Sequence, residues 1–581
     1  MAMRKIIIIL LAATLVLAVD IMPLSKVKRG MKGYGLSVFS GEEPEKFGVE
    51  ILGVLKNVGV DSSLIIARLT GKEVDHGGVI SGMSGSPVFI DGKIVGSVSY
   101  GFQFSKEPIA GIVPIEEIIK GKQLPLTVGQ KRFFYNGPLK KKLPFSFFLS
   151  KFNSSQKLGQ FYPLPLPFFA SVKGKFFDSF ASRLNFVSAS GAGKIIEPKI
   201  ETESLEAGDA VSVLLTTGDV EISAGGTVVF NDKKKNKIYI FGHPFFNTGN
   251  ANYFLAKAEV LGVVPSYSSP FKLTQPTKLV GRVVEDRLKG VVGETGKLPP
   301  YIPVRIKFFS SQKERKYNFW IIDDPLLAPA LLMVAEQGMI SEGSKDYGNI
   351  SLKISGEIAI KNGQNVKISD IFTGKNSGDV IGLDAAILYY LENNPYKKAE
   401  IDSINIEMSV FEYEKSATIQ RVWAPKYRVK PGEKLNITIY IKPKNQKIQE
   451  QTYPIKIPEV PSGEDLYLMV SSAEDILKWE SLYYRGAMGF PASFDRLIRA
   501  LNNLRKNNRL YFKFYTRKKS LFINGEEFPS LPPSLFKLFT SPFQPIKGNV
   551  LKRATVIEYT SELPWYIKGS TTIKFSTWSG L

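Results

Sequence analysis

The chain has 581 residues, of which 44% are hydrophobic and 22% charged, and its formal net charge is +22. This composition excludes a disordered or fibrous protein, and the length predicts about three or four globular domains. The chain has no cysteine and two histidines, His76 and His243, which excludes disulfides, a thiol nucleophile, an iron–sulfur cluster and a multi-histidine metal site. We therefore expect neither a metal nor a cofactor.

Residues 1–18 are predicted to be a signal peptide. Arg4 and Lys5 precede an apolar run at 6–16, and residues 16–18 offer a cleavage site. An uncleaved anchor is the alternative, but the apolar run is short for a membrane-spanning helix. We therefore expect an exported protein, located in the periplasm, the cell envelope or the exterior. Its positive charge then favours an anionic envelope surface as a partner over nucleic acid.

Residues 19–120 are predicted to form a β-rich unit that carries a serine. Asp91-Gly92 predicts a tight hairpin turn between two strands. A short helix at 114–119 ends the unit. Runs of β-branched and apolar residues predict strands at 35–39, 49–55, 63–69, 88–90 and 94–100.

Residues 121–189 are predicted to be a basic, aromatic connector. Between Glu117 and Asp178 there is no acidic residue, whereas lysine, arginine and phenylalanine accumulate. We favour an irregular connector whose aromatic side chains pack on neighbouring domains. The alternative is an arm that docks on an anionic surface or covers a cleft.

The remainder of the chain is predicted to hold four further units. A second β-rich peptidase half at 190–320 carries the hairpin 226–230 and 237–241. A mixed α/β extension follows at 321–399, with helices at 326–340 and 385–392. Period-two alternation at 400–475 predicts an immunoglobulin-like β-sandwich. Residues 476–581 are predicted to be an α/β segment in which Ser493 caps an amphipathic helix.

The strongest chemical signal is the sequence Gly-Met-Ser-Gly-Ser-Pro at residues 82–87. A serine between glycines predicts a tight turn that exposes a hydroxyl and points backbone N–H groups at a developing oxyanion. A hairpin follows and ends in Ser-Tyr-Gly at 99–101. This arrangement resembles the nucleophile segment of trypsin-like proteases.

The resemblance assigns a role to several residues. It implies that Ser84 is the nucleophile and that the N–H groups of Gly82 and Ser84 form the oxyanion hole. It also implies that Ser99, Tyr100 and Gly101 pair with the substrate backbone as an extra strand. The alternative is a glycine-rich turn with an incidental serine.

A serine needs a base to be nucleophilic at neutral pH. His243 lies in Phe-Gly-His-Pro, directly after a predicted strand, and we favour it as the base. His76 lies only eight residues before Ser84 and is the alternative, although a trypsin-like base comes from the facing half of the core. A third interpretation is that both histidines are structural.

Longer motifs resemble one family, the SpoIVB peptidases. They are Phe-Gly-Val-Glu-Ile-Leu-Gly at 47–53, Gly-Gly-Val-Ile-Ser-Gly-Met-Ser-Gly-Ser-Pro at 77–87, and a strand–turn–strand that ends in Phe-Gly-His at 241–243. The family consists of exported serine endopeptidases of bacterial sporulation signalling. The resemblance covers about 20–120 and 190–310, and it implies cleavage of a protein or peptide substrate.

The chain departs from the family pattern in three respects. The histidine segment follows the serine segment instead of preceding it, although a catalytic triad tolerates any sequence order. Leu69 stands where the family has its aspartate. The acid that orients His243 is therefore open among Asp75, Asp219 and Asp286. The PDZ domain of the family is not visible.

These observations together predict a mainly β protein. Its core is a two-barrel, trypsin-like peptidase, followed by an immunoglobulin-like β-sandwich and a small α/β C-terminal segment. The predicted function is that of an exported SpoIVB-type serine endopeptidase with a Ser–His acyl-enzyme mechanism. The alternative is a catalytically inactive scaffold that binds the cell envelope, or extended peptides at the sheet edge near Tyr100. Nucleic-acid binding is a third class, and export argues against it.

Overall fold

The structure is a computed structural model. The predicted signal peptide lies outside the described residues, and so do Phe133 and Phe134 of the connector. The structure is mainly β, as predicted, with 49% strand and 17% helix. Within the described ranges, no helix has both the length and the apolar character that crossing a membrane requires. The described residues are 20–59, 62–102, 104–121, 139–152, 161–191, 193, 195–311, 314–345, 347–361, 363–483, 490–523, 526–541 and 548–578.

The first β unit is a closed six-stranded barrel, which we call barrel 1. Its strands are β1 (Lys32–Ser37), β2 (Glu45–Gly59), β3 (Ser62–Thr70), β4 (Pro87–Ile90), β5 (Lys93–Gly101) and β6 (Ile109–Pro114), with helices α1 (Lys72–Gly77) and α2 (Ile115–Lys120). The order around the barrel is β4-β1-β2-β3-β6-β5, and pairing of β4 with β5 closes it. Closure removes the unpaired strand edges that an open sheet would expose.

The hairpin between β4 and β5 turns at Asp91-Gly92, as predicted. Both residues have positive φ angles, 49° and 74°, which a type I′ turn requires. Glycine adopts this conformation without strain, and aspartate tolerates it better than most residues.

The connector packs inward where the structure describes it. Its elements are α3 (Phe145–Leu149), β7 (Tyr162–Pro163), β8 (Pro167–Ala170), α4 (Lys175–Arg183) and β9 (Val187–Ser190). The ring of Phe148 is fully buried, 5.7 Å from that of Tyr389, and Phe168 stacks on Phe177 at 5.1 Å. The described part therefore shows the expected aromatic packing on neighbouring elements. The expectation that the connector is irregular was wrong there, because this part forms two helices and three strands.

The second β unit is also a closed six-stranded barrel, which we call barrel 2. Its strands are β10 (Ala210–Gly218), β11 (Ile222–Asp232), β12 (Lys237–Ile240), β13 (Gly249–Val264), β14 (Phe271–Arg287) and β15 (Gly290–Thr295). The order is β10-β13-β14-β15-β12-β11, and β10 pairs with β11. The predicted hairpin is confirmed as β11 and β12, which pair up to Asp232 opposite Lys237. Two closed barrels are consistent with the predicted trypsin-like core.

The extension continues the sheet of barrel 2 from the edge of β10. Its elements are β16 (Tyr301–Phe309), β17 (Glu314–Ile322), α5 (Leu327–Gly343), β18 (Tyr347–Ile360), β19 (Val366–Asn376), α6 (Leu383–Glu392) and β20 (Ile401–Phe411). The strand order is β19-β18-β20-β16-β17-β10. The two predicted helices are confirmed as α5 and α6.

Both helices of the extension are buried on nearly every side, as expected for helices that are apolar all round. Each nevertheless carries a fully buried carboxyl group, Glu336 on α5 and Asp384 on α6. Burial raises the pKa of both groups, and the charge of Asp384 raises that of Glu336 further.

The rest of the chain forms two facing sheets, a small third sheet of three strands, and attached helices. Its elements are β21 (Ser416–Trp423), β22 (Arg428–Val429), β23 (Lys434–Pro443), β24 (Gln449–Lys456), β25 (Asp465–Ser471), α7 (Ala473–Tyr483), α8 (Phe494–Asn502), β26 (Arg509–Thr516), β27 (Ser520–Ile523), β28 (Glu526–Phe528), α9 (Pro533–Thr540), β29 (Asn549–Leu551), β30 (Ala554–Glu562), β31 (Tyr566–Lys568) and β32 (Ser570–Thr577). Ser493 caps α8 as predicted, because its Oγ accepts the N–H of Arg496 at 3.3 Å.

The immunoglobulin-like sandwich predicted for 400–475 is not confirmed. The two facing sheets have the orders β24-β23-β21-β31 and β22-β32-β25-β26-β30, so they combine strands from both predicted C-terminal modules. Strand β20 instead joins the large sheet, parallel to β16. Alternation with period two identifies a half-buried strand but does not identify its partner.

Candidate active site

The turn at residues 82–86, which we call the Ser84 turn, lies where barrel 1 meets barrel 2. Gly82 and Gly85 have φ angles of +98° and +96°, which favour glycine. A Cβ on Gly85 would lie 2.0 Å from the carbonyl oxygen of Thr227 in β11. The carbonyl oxygen of Ser84 accepts the N–H of the same threonine at 3.0 Å. Glycine at position 85 therefore lets the two barrels come into backbone contact.

The backbone N–H groups of this turn differ in their partners. Those of Met83, Gly85 and Ser86 each donate to a backbone carbonyl at 2.9–3.0 Å. In the described part of the chain, the N–H groups of Gly82 and Ser84 have no such acceptor. These are the two donors that the sequence assigned to an oxyanion hole.

The Ser84 side chain is fully buried, and its Oγ has no hydrogen-bond partner among the described residues. The sequence predicted an exposed hydroxyl, and this expectation was wrong because barrel 2 packs over the turn. An unpaired buried hydroxyl costs about 1–3 kcal/mol. Such groups call for a functional or structural explanation, since most buried polar atoms are paired.

His243 lies just after β12, and its imidazole is 2% exposed. Its Nδ1 lies 2.9 Å from the carbonyl oxygen of Pro244, and a carbonyl only accepts, so Nδ1 carries the hydrogen. Nε2, which keeps the lone pair, has no partner among the described residues. Burial lowers the pKa of His243 to about 4, although the carbonyls of Pro244 and Leu164 oppose this. The imidazole is therefore neutral at pH 7 and in the tautomer that a general base needs.

Ser84 and His243 come from different barrels, and the glycine next to each of them contacts the same part of β5. The N–H of Gly85 donates to the carbonyl of Val98 at 2.9 Å. A Cβ on Gly242 would lie 1.6 Å from Oγ of Ser99, the next residue along β5. No hydrogen bond joins Ser84 Oγ to His243 Nε2 in this arrangement, since both atoms are unpaired.

The alternative base, His76, lies elsewhere. It is an exposed residue of α1, and its Nδ1 lies 2.7 Å from the carbonyl oxygen of Lys72 one turn earlier. The structure thus places His76 on a helix surface and His243 at the contact between the barrels.

The three candidate orienting acids differ in their relation to His243. Asp286 is fully buried and accepts the N–H groups of Phe245 and Phe246, in the loop after His243, at 2.8 and 2.6 Å. Burial raises the pKa of Asp286 despite these bonds. Asp219 instead accepts the N–H of Asn318 at 2.6 Å.

Asp75 does not lie at the site, and Leu69, at the position of the family's aspartate, has no carboxyl group. Asp75 is exposed on α1. Leu69 is fully buried in the core of barrel 1. Asp286 is therefore the candidate that is bonded to the loop of His243, although none of its hydrogen bonds reaches the imidazole.

The strand segment predicted to bind substrate is already paired. Tyr100 lies opposite Pro163, and Gly101 lies opposite Tyr162, in an antiparallel pairing of β5 with β7. The carbonyl oxygen of Ser99 accepts the N–H of Leu164 at 2.9 Å. The chain's own connector therefore occupies the edge that the sequence assigned to substrate.

Sequence reasoning missed one residue at this site, Lys272 of β14. Its side chain is 1% exposed and packs beneath the Ser84 turn, 3.2 Å from the position of a Cβ on Gly82. Nζ donates to Ser37 Oγ at 2.7 Å, and Ser37 Oγ lies 2.8 Å from Ser86 Oγ. Burial lowers the pKa of Lys272 to about 7. The sequence gives no signal for it, because the alternation at 271–274 places the apolar Phe271 and Leu273 on the face opposite Lys272.

The described residues contain no group of three or more histidine, aspartate or glutamate side chains arranged to hold a metal ion. The groups described at this site are a hydroxyl, an imidazole, an amine and backbone N–H groups.

One family model, SpoIVB peptidase S55, matches residues 14–118. This segment is similar to the SpoIVB peptidases. The match confirms the resemblance that the sequence indicated, and it includes the Ser84 turn and β5. A SpoIVB family match indicates a serine peptidase, that is, a hydrolase. The matched residues make up less than a fifth of the chain, and barrel 2 with His243 lies outside them.

Neither the curated proteins nor the solved structures contain a significant match to the chain.

Proposed function

We propose that the protein is a SpoIVB-type serine endopeptidase in which Ser84 is the nucleophile and His243 the general base. One observation carries this proposal. Within the described residues, a buried serine has two unpaired N–H groups in its turn, and a buried histidine has an unpartnered Nε2. Their neighbours Gly85 and Gly242 contact consecutive residues of β5 from opposite barrels. A structural turn would not need any of these groups to be unpaired.

The proposed chemistry uses all of these unpaired groups. Ser84 Oγ attacks the carbonyl carbon of the substrate while Nε2 of His243 takes its proton. The N–H groups of Gly82 and Ser84 donate to the oxyanion that forms. The imidazolium then protonates the leaving amine, and an acyl-enzyme remains on Ser84. A water molecule, deprotonated by His243, releases the second product. Because Ser84 and His243 are not hydrogen-bonded, a movement that brings Oγ and Nε2 within hydrogen-bond distance must precede the first proton transfer.

The orienting acid is proposed to be Asp286. Its bonds to the N–H groups of Phe245 and Phe246 fix the loop that follows His243. In this role it positions the imidazole through the backbone, whereas the carboxylate of a full triad bonds the ring. Without such a carboxylate, turnover is expected to be lower than that of a full triad by a factor on the order of 10⁴.

A second candidate function is a catalytically inactive scaffold that binds extended peptides. The pairing of β5 with β7 favours it, because that edge holds an extended segment while Ser84 and His243 are not bonded. For either function we also propose export and contact with an anionic envelope surface, based on the predicted signal peptide and the net charge of +22.

The deciding experiment is active-site labelling with a fluorophosphonate, read by intact mass. We expect one adduct on the parent, none on Ser84→Ala, and strongly slowed labelling of His243→Ala. Ser86→Ala is the matched control, because it removes a buried hydroxyl from the same turn and should still be labelled. If the parent remains unlabelled under conditions that label trypsin, the scaffold replaces the peptidase as the function.

A further inference from the structure

Residues 161–167, here called the proline-rich segment, cross from one barrel to the other. The segment has the sequence Phe-Tyr-Pro-Leu-Pro-Leu-Pro. At its start, β7 pairs with β5 of barrel 1, and at its end, β8 pairs with β11 of barrel 2. Residues 164–166 therefore span the contact between the barrels, which is where the Ser84 turn lies.

The N–H, the side chain and the carbonyl of Leu164 each lie against a different part of the site. The N–H donates to the carbonyl oxygen of Ser99 at 2.9 Å. The side chain is 4% exposed and packs into the core of barrel 1, with Cδ2 3.0 Å from the position of a Cβ on Gly101. The carbonyl is close enough to His243 to favour its protonated form. The N–H and side-chain contacts are those that the residue before a cleaved bond would make. The carbonyl differs, because a substrate's carbonyl oxygen would accept from the N–H groups of Gly82 and Ser84, which Leu164 leaves unpaired.

The sequence of the segment suits a strand that binds as a substrate does but is not cleaved. Proline at 163, 165 and 167 fixes φ near −65° and favours an extended conformation in the residue before it. An extended backbone is what a strand edge binds. The bond after Leu164 leads to Pro165, so it is a tertiary amide whose nitrogen is held in a ring.

The segment borders open space on its outer side. A cavity of about 200 Å³ lies beside it and is lined by the segment and by residues of both barrels, among them Val79, Phe102 and Pro270. The segment can therefore leave β5 without opening either barrel, since both barrels close without β7.

We propose that the proline-rich segment occupies the substrate site as a built-in, substrate-like strand that a substrate must displace. The inference rests on the proposed peptidase function and adds two things to it. The site is regulated by the chain itself, and the residue preferred before the cleaved bond is aliphatic and of leucine size.

The test compares two leucine truncations in the same segment. Leu164→Ala removes the side chain that packs on β5, whereas Leu166→Ala removes an equally buried leucine that packs in the core of barrel 2 and the extension. We expect fluorophosphonate labelling of Ser84 to be at least about tenfold faster in L164A than in the parent, a factor that corresponds to about 1.4 kcal/mol. L166A should be labelled at the parent's rate.

A second variant covers the case in which L164A folds poorly. Gly101→Ala leaves the core of barrel 1 filled and places a methyl group against Leu164. The φ of Gly101 is not in the left-handed region, so alanine fits the backbone. It should accelerate labelling as well. Equal labelling of the parent, L164A and G101A would overturn the segment's role while leaving the peptidase function intact.

A binding measurement separates this inference from failure of the peptidase function. A fluorescent copy of residues 161–166 should bind L164A at least about tenfold more tightly than the parent, because the attached segment then competes less well. The same peptide with aspartate in place of its first leucine should not bind. If no variant is labelled but this binding pattern holds, the peptidase function fails and the occupied site stands. If the peptide binds L164A no better than the parent, the occupied site is wrong.

Discussion

Replacing Lys272 tests whether burial lowers the pKa of the amine beneath the Ser84 turn. Burial lowers the pKa of this lysine from its ordinary value of 10.5 to about 7, and only the hydroxyl of Ser37 accepts a hydrogen bond from it among the described residues. A pKa difference of one unit corresponds to about 1.4 kcal/mol, so keeping the amine charged costs the folded state about 5 kcal/mol.

The sign of the pH dependence follows from this pKa. Between pH 7 and 10.5 the unfolded chain holds the proton of Lys272 and the folded chain has released it. Stability therefore rises with pH across this window, by about 1.4 kcal/mol for each pH unit. The gain is lost as the pH falls from 10.5 to 7, and below pH 7 both states hold the proton. Lys272→Met keeps the side-chain length and removes the titrating group, so this rise should disappear.

The assay is urea unfolding of the parent and K272M at pH 6, 7.5, 8.5 and 9.5. The difference in free energy of unfolding, parent minus variant, should increase by roughly 2–3 kcal/mol from pH 7.5 to 9.5. Lys278→Met is the control, because this lysine is exposed on the same strand and paired with Glu203. Parallel pH curves for the parent and K272M would refute the lowered pKa of Lys272.

Three further predictions concern other buried groups. Gly85→Ala should destabilise the protein by about 3 kcal/mol or more, because a carbonyl oxygen of β11 lies 2.0 Å from the new Cβ. Gly92→Ala, which has a positive φ but open space, should cost only about 1–2 kcal/mol by thermal unfolding. Glu336→Gln should gain stability over the parent as pH rises above about 4.5, since the raised pKa of Glu336 makes the parent lose stability there. The exposed Glu342→Gln on the same helix should show no such gain. If the peptidase is active, kcat/KM should rise through an acid limb near pH 4, because burial lowers the pKa of His243 and the base must be neutral; a limb near pH 6.5 would contradict that pKa.

Local signals in the sequence predicted the parts of the fold that depend on local chemistry. Asp91-Gly92 predicted its hairpin because few residue pairs accept two consecutive positive φ angles. Ser493 predicted the start of α8 because its hydroxyl satisfies an N–H that the helix leaves free. The glycines around Ser84 likewise predicted a tight turn.

Long-range partners were not predictable in the same way. The pattern at β20 showed an alternating strand, but its pairing with β16 depends on residues about a hundred positions earlier. The burial of Ser84 results from contact with β11 of the other barrel. Lys272 and Leu164 lack any local motif, because their roles arise only when three separate segments meet on β5 and the Ser84 turn.

The strand pairing of the C-terminal sandwich sets an order of folding along the chain. Barrel 1 closes with pairings contained within residues 32–114, so it can form as soon as that stretch is available. Strand β21 instead pairs with β31, and β25 with β32, across separations of about 100 to 150 residues. Such distant pairings form slowly, because closing a long loop has an entropy cost that must be overcome before the contacts form. The barrel that carries Ser84 should therefore be structured before β21 and β25 have paired with β31 and β32. During that interval their unpaired edges are the part of the molecule most exposed to aggregation.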